Sequence, residues 1–279
     1  MKRRIAVSAA MLAFYGASAH AIVITQTDDA AVLVDAILGE GVSLVGTPTL
    51  TGSPLQFGTF TNGTDTVGFA NGIVLSTGNV LSLAQPNSLP NMTTSFGTTN
   101  VTDLIDFDWD TAILSFDFTF DDPEMGTDVS FNYVFGSEEY LEYVNSAFTD
   151  EFQLLVGGEN LALLGDDPVN VDTINTGANS SLFRDNTGGL FDIELDGLTT
   201  VLVANSSELG AGIYTALFVI ADVSDTNYDS AVFVQGGTFD SNEGPPVPPT
   251  PEVPVPAAFP LMAAGLAIGG FARRRVRRV

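Results

Sequence analysis

The sequence predicts a mainly β protein: an antiparallel β-sandwich, jelly-roll-like, with one N-terminal helix and a C-terminal transmembrane-type helix. Three observations support this prediction. Short segments of alternating apolar and polar residues recur between positions 67 and 235. Glycines, asparagines and aspartates separate them, and only one segment, near the start, has helical spacing. Many short strands between turn signals are typical of sandwiches and barrels.

The N-terminal helix of the domain is predicted to follow Thr27. This hydroxyl cap precedes two acidic residues, which favour the first turn of a helix. Apolar residues then recur at helical spacing, and Gly39 and Gly41 end the pattern. The apolar positions are Ala30, Leu33, Val34, Ile37 and Leu38.

Two later segments have the clearest strand pattern. In 114–120, one leucine and three phenylalanines alternate with Ser115, Asp117 and Thr119, which predicts a half-buried antiparallel strand. The segment 128–135 alternates in the same way, and a turn at 121–126 joins the two. Further strands are predicted at 67–76, 151–156, 190–195, 199–204, 213–221 and 231–235.

The first 21 residues have the features of a secretory signal peptide. Three basic residues at positions 2–4 precede an apolar run at 5–16. Ala19 and Ala21 then form a small-x-small cleavage site. We therefore predict removal of residues 1–21 by signal peptidase, with a short buried helix as the alternative.

The other end of the chain divides into three parts. Residues 241–256 form an acidic, proline-rich linker, which should be extended and without a core. Residues 257–272 carry no charge; as a helix they reach about 24 Å, short of a bilayer core of about 30 Å. The tail 273–279 follows the positive-inside rule, which predicts a membrane helix with a cytoplasmic end. A buried C-terminal helix is the alternative. The membrane-stop arginines are Arg273, Arg274, Arg275, Arg277 and Arg278.

Three features of this ending follow one another: a Val-Pro-Val-Pro-Ala motif, the apolar run and the arginine cluster. The motif consists of Val253, Pro254, Val255, Pro256 and Ala257. Together these features resemble the PEP-CTERM class of bacterial sorting tails, and more closely its VPLPA-type variant, with one departure at Val255, where the variant usually has leucine. The resemblance implies recognition by an exosortase-type protease after transient anchoring in the inner membrane. It also implies delivery to the surface or extracellular matrix of a Gram-negative bacterium.

The charge of the chain is strongly one-sided. Eight of the nine basic residues lie in the two ends of the chain, and the ninth is Arg184. All 34 acidic residues lie between Asp28 and Glu252. The exported part therefore carries 34 negative charges against one positive charge. Self-repulsion of this size favours a salty or calcium-rich medium. It argues against a nucleic-acid partner, whose phosphates would be repelled.

The missing residue types exclude several classes of chemistry. The only histidine is His20, inside the signal peptide, so residues 22–240 contain no His, Cys or Lys. This excludes a Ser-His-Asp triad, a cysteine nucleophile, a Schiff-base lysine and His- or Cys-ligated zinc. A paired-carboxylate hydrolase and oxygen-ligated calcium remain. We expect no enzyme activity and no catalytic residue, and calcium is the one candidate cofactor.

Six short motifs follow one another along the predicted domain, residues 22–240. They are LGEGV at 38–42, GIVLSTG at 72–78, DTAILSFDF at 110–118, YVFGSEEY at 133–140, DEF at 150–152 and IADVSDTNYDSAVF at 220–233. In their order and spacing they resemble the choice-of-anchor L domain of bacterial surface proteins. The resemblance implies a surface protein whose relatives carry different anchors, which agrees with the sorting tail, and it transfers no functional residue.

The strongest candidate for a metal site is the segment 222–229. It places Asp222, Asp225 and Asp229 in a turn between two apolar strands, where loop oxygens could converge on a hard cation. A solvated turn with side-chain caps is the alternative. The alternating acids of 103–110 lack the glycine and distal glutamate of an EF-hand loop, so we expect a solvated acidic face there, with calcium binding as the alternative.

A second candidate is the stretch 135–145, which contains Glu138, Glu139 and Glu142. The favoured interpretation is a helical turn capped by Ser137, with the glutamates near its positive end. Alternatively, Glu138 and Glu139 join Asp150 or the 222–229 turn around calcium. A glycosidase pair is the least favoured interpretation, since a sugar cleft needs stacking aromatics and the chain has one tryptophan.

These observations predict a non-enzymatic, exosortase-sorted surface or matrix protein, with a role in adhesion or in exopolysaccharide association within biofilm. One alternative is a carboxylate-based carbohydrate-active enzyme. Another is a calcium-dependent module that binds carbohydrate or protein. An ice-binding face is a remote option, supported by threonines without a regular repeat at 47, 49, 51, 59 and 61.

Overall fold

The computed structural model describes residues 21–97, 100–102, 105–107, 109–122, 128–206 and 209–241. The predicted signal peptide, except its last residue, therefore lies outside the described residues. So do the sorting motif at 253–257, the apolar segment at 257–272 and the arginines of the tail. Among the residues that are described, no helix combines the length and hydropathy that a membrane crossing requires.

The described residues form short strands joined by turns, with very little helix. The helices are α1 (Ala30–Ile37) and α2 (Val80–Leu83), with 3₁₀ turns at Pro54–Gln56 and Ser180–Leu182. The strands of the first half are β1 (Val23–Gln26), β2 (Val42–Thr51), β3 (Phe57–Thr61), β4 (Asn71–Ser76), β5 (Asn100–Thr102), β6 (Ile105–Phe107), β7 (Trp109–Phe120) and β8 (Ser130–Ser137). The strands of the second half are β9 (Glu151–Val156), β10 (Glu159–Asn160), β11 (Leu163–Leu164), β12 (Asp167–Pro168), β13 (Phe183–Asp185), β14 (Gly197–Thr199), β15 (Leu202–Asn205), β16 (Ile213–Asp222) and β17 (Ser230–Gln235).

Two antiparallel sheets make up the domain. The larger sheet has the order β1-β3-β4-β17-β8-β14-β13, and β15 also pairs with β8. The smaller sheet has the order β10-β9-β16-β7-β2. The pairs β5–β6 and β11–β12 stand apart as two-stranded units. The prediction of a mainly β, antiparallel fold is confirmed, and the arrangement is consistent with a sandwich.

The main core is rich in phenylalanine. On β7, Leu114, Phe116, Phe118 and Phe120 are buried, while the three residues between them are half-buried, as their alternation predicts. Phe239 packs against this row, with its ring centroid 5.2 Å from Phe116 and 5.0 Å from Phe118. Edge-to-face contacts of this kind add to the free energy gained from burying the rings.

A second apolar layer covers the opposite face of the larger sheet. Every residue of β8 is buried, so the half-buried strand predicted from its alternation is wrong on that point. Val134 of β8 and Phe233 of β17 belong to one apolar cluster with Ile193 and Leu195 of this layer. Because a covering layer removes the solvated face, the polar residues of β8 are buried as well.

The strand predicted at 190–195 is also wrong. This segment is irregular and forms part of the covering layer. The Asn186 side chain makes the hydrogen bonds that a neighbouring strand would otherwise make. Its Nδ2 donates to the carbonyls of Ile193 (2.9 Å) and Leu195 (2.8 Å), and its Oδ1 accepts from the Phe191 amide (2.7 Å). One buried amide thus satisfies three backbone groups that would otherwise lack partners.

Other predicted elements differ mainly in their bounds. The N-terminal helix is confirmed, but its cap is Asp29, whose Oδ1 accepts from the Ala31 amide at 3.0 Å. The strand predicted at 67–76 begins only at Asn71, and the one at 199–204 divides into β14 and β15. The sequence did not predict α2, β1, β2 or β3, whose apolar residues are spread over both faces or are few.

Candidate functional site

One end of the sandwich brings together strand ends from both sheets. β16 ends there and β17 begins there, after a crossing turn. Cross-strand pairing places the ends of β4 and β8, and the starts of β7 and β9, at this same end. The acidic residues at these strand ends are Asp110, Glu138, Glu139, Asp150, Asp222 and Asp229, which we call the carboxylate cluster.

The cluster is buried. Each of its six residues is at most 2% exposed, although carboxylates normally lie in solvent. The structure thus brings together five of the six residues proposed from the sequence as calcium ligands. Asp225 is the exception: it is half-buried, and its Oδ1 accepts from the Asn227 amide at 3.0 Å, as in a side-chain-capped turn.

Asp110 was missed as a member of the cluster. The sequence predicted it on a solvated acidic face, and the structure contradicts this, because Asp110 is fully buried and Trp109 is 39% exposed. Asp110 has a positive φ of 33°, which few residues other than glycine, asparagine and aspartate adopt. An aspartate directly before a long apolar strand was the only sequence signal. Asp103 and Asp108 lie outside the described residues.

Burial perturbs the ionisation of the cluster. Loss of solvation raises the pKa of Glu138 to about 8 and that of Asp229 to about 7. Burial also raises the pKa values of Glu139, Asp150 and Asp222. Negative neighbours add to the effect, since Asp150 raises the pKa of both Glu139 and Asp222.

Backbone amides of one segment satisfy part of the cluster. Residues 88–96, which we call the covering segment, lie over this end of the sandwich. The Met92 amide donates to Glu138 Oε1 (3.0 Å) and the Thr94 amide to Asp229 Oδ1 (2.9 Å). The Phe96 amide donates to both carboxylate oxygens of Asp110, at 3.1 and 3.0 Å. Alternate amides of an extended segment thus take the place of basic side chains.

A buried glutamate outside the cluster anchors the start of the covering segment. Glu194 is fully buried, and its Oε1 accepts from the amides of Ser88 and Leu89. Asp196 accepts from Asn87 Nδ2 at 2.6 Å. Neither acid was singled out from the sequence, because the segment around them reads as a strand rather than a loop.

Other carboxylate oxygens of the cluster receive no hydrogen bond. They are Oδ1 and Oδ2 of Asp222, Oδ2 of Asp150, Oδ2 of Asp229 and Oε2 of Glu138. The Thr77 hydroxyl lies close enough to Asp222 to lower its pKa somewhat, yet no bond of normal geometry reaches either oxygen. Among the described residues, no three acidic side chains are placed to hold one metal ion together.

The stretch that follows β8 forms turns, and the Tyr143 amide donates to the Glu139 carbonyl at 3.1 Å, as in a helical turn. Ser137 Oγ accepts from the Glu139 amide at 2.9 Å, so the predicted serine cap is present. Glu138 and Glu139 are buried, however, and only Glu142 is exposed. Glu138 and Glu139 therefore belong to the interior of the domain, and Glu142 belongs to a solvated turn.

An aromatic surface lies beside the cluster. The rings of Tyr143 and Tyr228 are 4.7 Å apart between centroids and tilted by 52°. Phe148 stands edge-on to Tyr143 at 6.1 Å and is 36% exposed. We call these three residues the aromatic patch. Asp225 and Glu142 lie near Tyr143, so polar acceptors border the rings.

No curated protein matches this chain. Among solved structures, the enzymatically active domain of tailspike protein 4 from bacteriophage CBA120 matches with a TM-score of 0.23 and 12% identity. That match covers 71% of this chain and 19% of the tailspike chain, and it is too weak to support an argument about fold or function. A family model described as "Choice-of-anchor L domain" matches residues 23–240, and the chain therefore belongs to the choice-of-anchor L domain family.

Proposed function

We propose that this protein is a non-enzymatic adhesion protein of the cell surface or extracellular matrix of a Gram-negative bacterium, where it associates with exopolysaccharide. The observation that carries the proposal is the family match over residues 23–240, because a choice-of-anchor domain indicates a surface-associated protein. The strongly acidic composition agrees with this, since surface repulsion keeps exported protein dispersed.

The route to the surface follows from the two ends of the sequence. Signal peptidase removes residues 1–21, and the apolar segment 257–272 anchors the chain transiently in the inner membrane. An exosortase-type protease then recognises the motif Val253–Ala257 and removes the tail. The arginines after the apolar segment support this orientation, because positive residues stay on the cytoplasmic side.

The burial of the carboxylates supports a role without catalysis. A glycosidase needs two carboxyl groups that flank a bound sugar. The residues of the carboxylate cluster are at most 2% exposed, and the covering segment lies over them. A polysaccharide therefore cannot reach these carboxyl groups. The domain also contains no His, Cys or Lys that could act as base or nucleophile.

The aromatic patch is the surface that we assign to the polysaccharide. Aromatic rings pack against the apolar C–H faces of sugar rings, while nearby polar groups bond the hydroxyls. Tyr143, Phe148 and Tyr228 supply the rings, and Asp225 and Glu142 are neighbouring acceptors. Because the domain is acidic, a neutral polysaccharide fits better than an anionic one.

The sorting step can be tested in cells that lack the exosortase-type protease. We expect the chain to keep its C-terminal tail and to stay in the membrane fraction, whereas wild-type cells release a shortened form. Mass spectrometry of the C-terminal peptide measures the difference. Release of the same shortened protein from both strains would contradict the proposed sorting.

The binding step can be tested with the neutral exopolysaccharide fraction of the producing cells. We expect Tyr143→Ala and Tyr228→Ala each to weaken retention about fivefold, since an aromatic contact is worth about 1 kcal/mol. Ile213→Ala is the matched control, because Ile213 is 65% exposed and lies at the opposite end of β16. The assignment would be refuted if the polysaccharide retained all variants equally, or if the wild-type protein bound only the anionic fraction.

A further inference from the structure

We propose that the end of the sandwich binds a calcium ion between the carboxylates of Asp150 and Asp222. These two residues come from the start of β9 and the end of β16, which are neighbouring strands of the smaller sheet. Pairing of Ala221 with Glu151 makes Asp222 and Asp150 neighbours across the two strands, and the negative charge of Asp150 raises the pKa of Asp222. The inference does not depend on the proposed surface role, because the domain would bind the ion whether or not it is sorted or binds polysaccharide.

The first argument is the charge that the fold leaves uncompensated. Asp222 is 1% exposed and neither of its carboxylate oxygens accepts a hydrogen bond. Asp150 is equally buried and has one such oxygen. An ionised carboxylate costs several kcal/mol to bury without a partner, so native proteins pair it or bind a metal.

The second argument is that the chain offers no cation of its own here. Arg184 is the only basic residue of residues 22–240. Its guanidinium lies 3.9 Å from the centroid of the Phe191 ring, which belongs to the covering layer, and burial lowers its pKa to about 10. The charge of the aspartate pair must therefore be balanced by protons or by an ion from the medium.

The third argument separates this pair from the other buried acids. The covering segment supplies amides to Glu138, Asp229 and Asp110. None of its amide bonds goes to Asp150 or Asp222. The covering segment thus serves the other acids, while both oxygens of Asp222 and Oδ2 of Asp150 have no hydrogen bond.

The chemistry of the surroundings indicates calcium. Only oxygen donors are present: Thr77 neighbours Asp222, and Ser230 neighbours Asp150. Calcium accepts six to eight oxygens in flexible geometry, including hydroxyls, carbonyls and water. Since no three described acidic side chains can hold a metal together, neutral oxygens and water complete the coordination. Magnesium suits the pair less well, because it demands a regular octahedron and loses water reluctantly.

The direct test uses the full chain, purified in mild detergent and stripped with a chelator. Titration with calcium chloride should give saturable heat and a raised melting temperature at constant ionic strength. At a calcium concentration about 100 times the Kd, linkage predicts a rise of about 5–10 °C for a domain of this size. Magnesium at the same concentration should raise it much less.

A spectroscopic test reports on the position of the ion. Trp109 is the only tryptophan of the chain and lies opposite Asp222 across β7 and β16. Terbium, which binds in place of calcium, should therefore show luminescence excited through this indole, and calcium should displace it. With excitation at the long-wavelength edge of the indole band, where tyrosine does not absorb, Trp109→Phe should remove the luminescence while the calorimetric affinity for calcium stays the same.

Two variants test the ligands. Asp222→Asn and Asp150→Asn should each weaken calcium binding about tenfold or more, since even outer partners of a metal site contribute that much. Asp35→Asn is the matched control, because Asp35 is exposed on α1. If Asp222→Asn does not fold, Asp150→Asn still tests the ligands. The titration of the wild-type protein does not depend on either variant.

Three results would overturn the proposal. Absence of heat and of any thermal shift with wild-type protein would mean that the pair shares a proton only. An equal effect of magnesium would mean that calcium only screens the negative charge and does not bind at a specific site. Unchanged affinity in folded Asp222→Asn and Asp150→Asn would place the ion elsewhere.

Discussion

Raising the pH in the presence of a chelator should destabilise the domain, and Asp229 shows why. Burial raises its pKa from 3.8 to about 7 in the folded state. Between these values the folded protein holds a proton that the unfolded chain has released. The free energy of unfolding therefore falls as the pH rises. The stabilisation is fully present below about pH 4 and is lost as the pH passes about 7.

The size of the effect follows from the shift. A difference of about three pKa units corresponds to about 4 kcal/mol, at 1.36 kcal/mol for each unit. That is a large part of the 5–15 kcal/mol that stabilises a typical domain. Glu138, with a pKa of about 8, extends the loss to higher pH.

The assay is urea unfolding at about pH 5 and about pH 8, with chelator and constant ionic strength. Asp229→Asn removes the titrating group but keeps an oxygen that can accept from the Thr94 amide. We expect the loss of stability between the two pH values to be about 2.7 kcal/mol smaller in this variant than in wild type, because only the part of the shift between about pH 5 and the folded pKa of about 7 lies in this window. Asp35→Asn should lose as much as wild type, because Asp35 is exposed.

Two results would refute this reasoning. If wild type and Asp229→Asn lost the same free energy between the two pH values, the proton would not be bound at Asp229. If wild type gained stability as the pH rose, the carboxylates of the cluster would be charged and favourably paired in the folded state.

Two further predictions concern packing. Phe239→Ala should lower the free energy of unfolding by about 3–5 kcal/mol, because it leaves a cavity among four phenylalanine rings. Urea denaturation measures this loss. As the control, Leu190→Ala should change the stability little, because Leu190 is 60% exposed. Gly78→Ala should lower the free energy of unfolding by about 1–3 kcal/mol, because a Cβ there overlaps the Asp229 carboxylate. Gly188→Ala should be neutral in the same assay, because a Cβ at that position meets nothing within 4 Å. Equal values for the two glycine variants would contradict the packing around Asp229.

Strands were predictable where one face of the strand is buried and the other is not. β7 has this environment, and its alternation of phenylalanine with polar residues matches the observed burial. β9 and β16 were likewise located almost to the residue. The pattern failed at 190–195, because apolar residues that cover a sheet from outside resemble those of a strand. It also missed the burial of polar residues in β8, which depends on that same layer.

The candidate site was predictable in its residue types but not in its form. The sequence pointed to Asp222, Asp229, Glu138, Glu139 and Asp150 as carboxylates that could meet. It did not separate Asp225, which caps a half-buried turn, from these buried neighbours. It also placed Asp110 in solvent, because spacing along a strand says nothing about which loops fold over its end.

The sequence alone determined the acidity of residues 22–252 and the absence of His, Cys and Lys from residues 22–240, which excludes chemistry that depends on those side chains. Only the tertiary structure decided which carboxylates leave the solvent. Antiparallel pairing brings strand ends far apart in the chain to one end of the sandwich. The covering segment then supplies amides to some of these carboxylates and none to Asp150 or Asp222. Burial and pairing depend on these long-range contacts, which no local pattern of residues encodes.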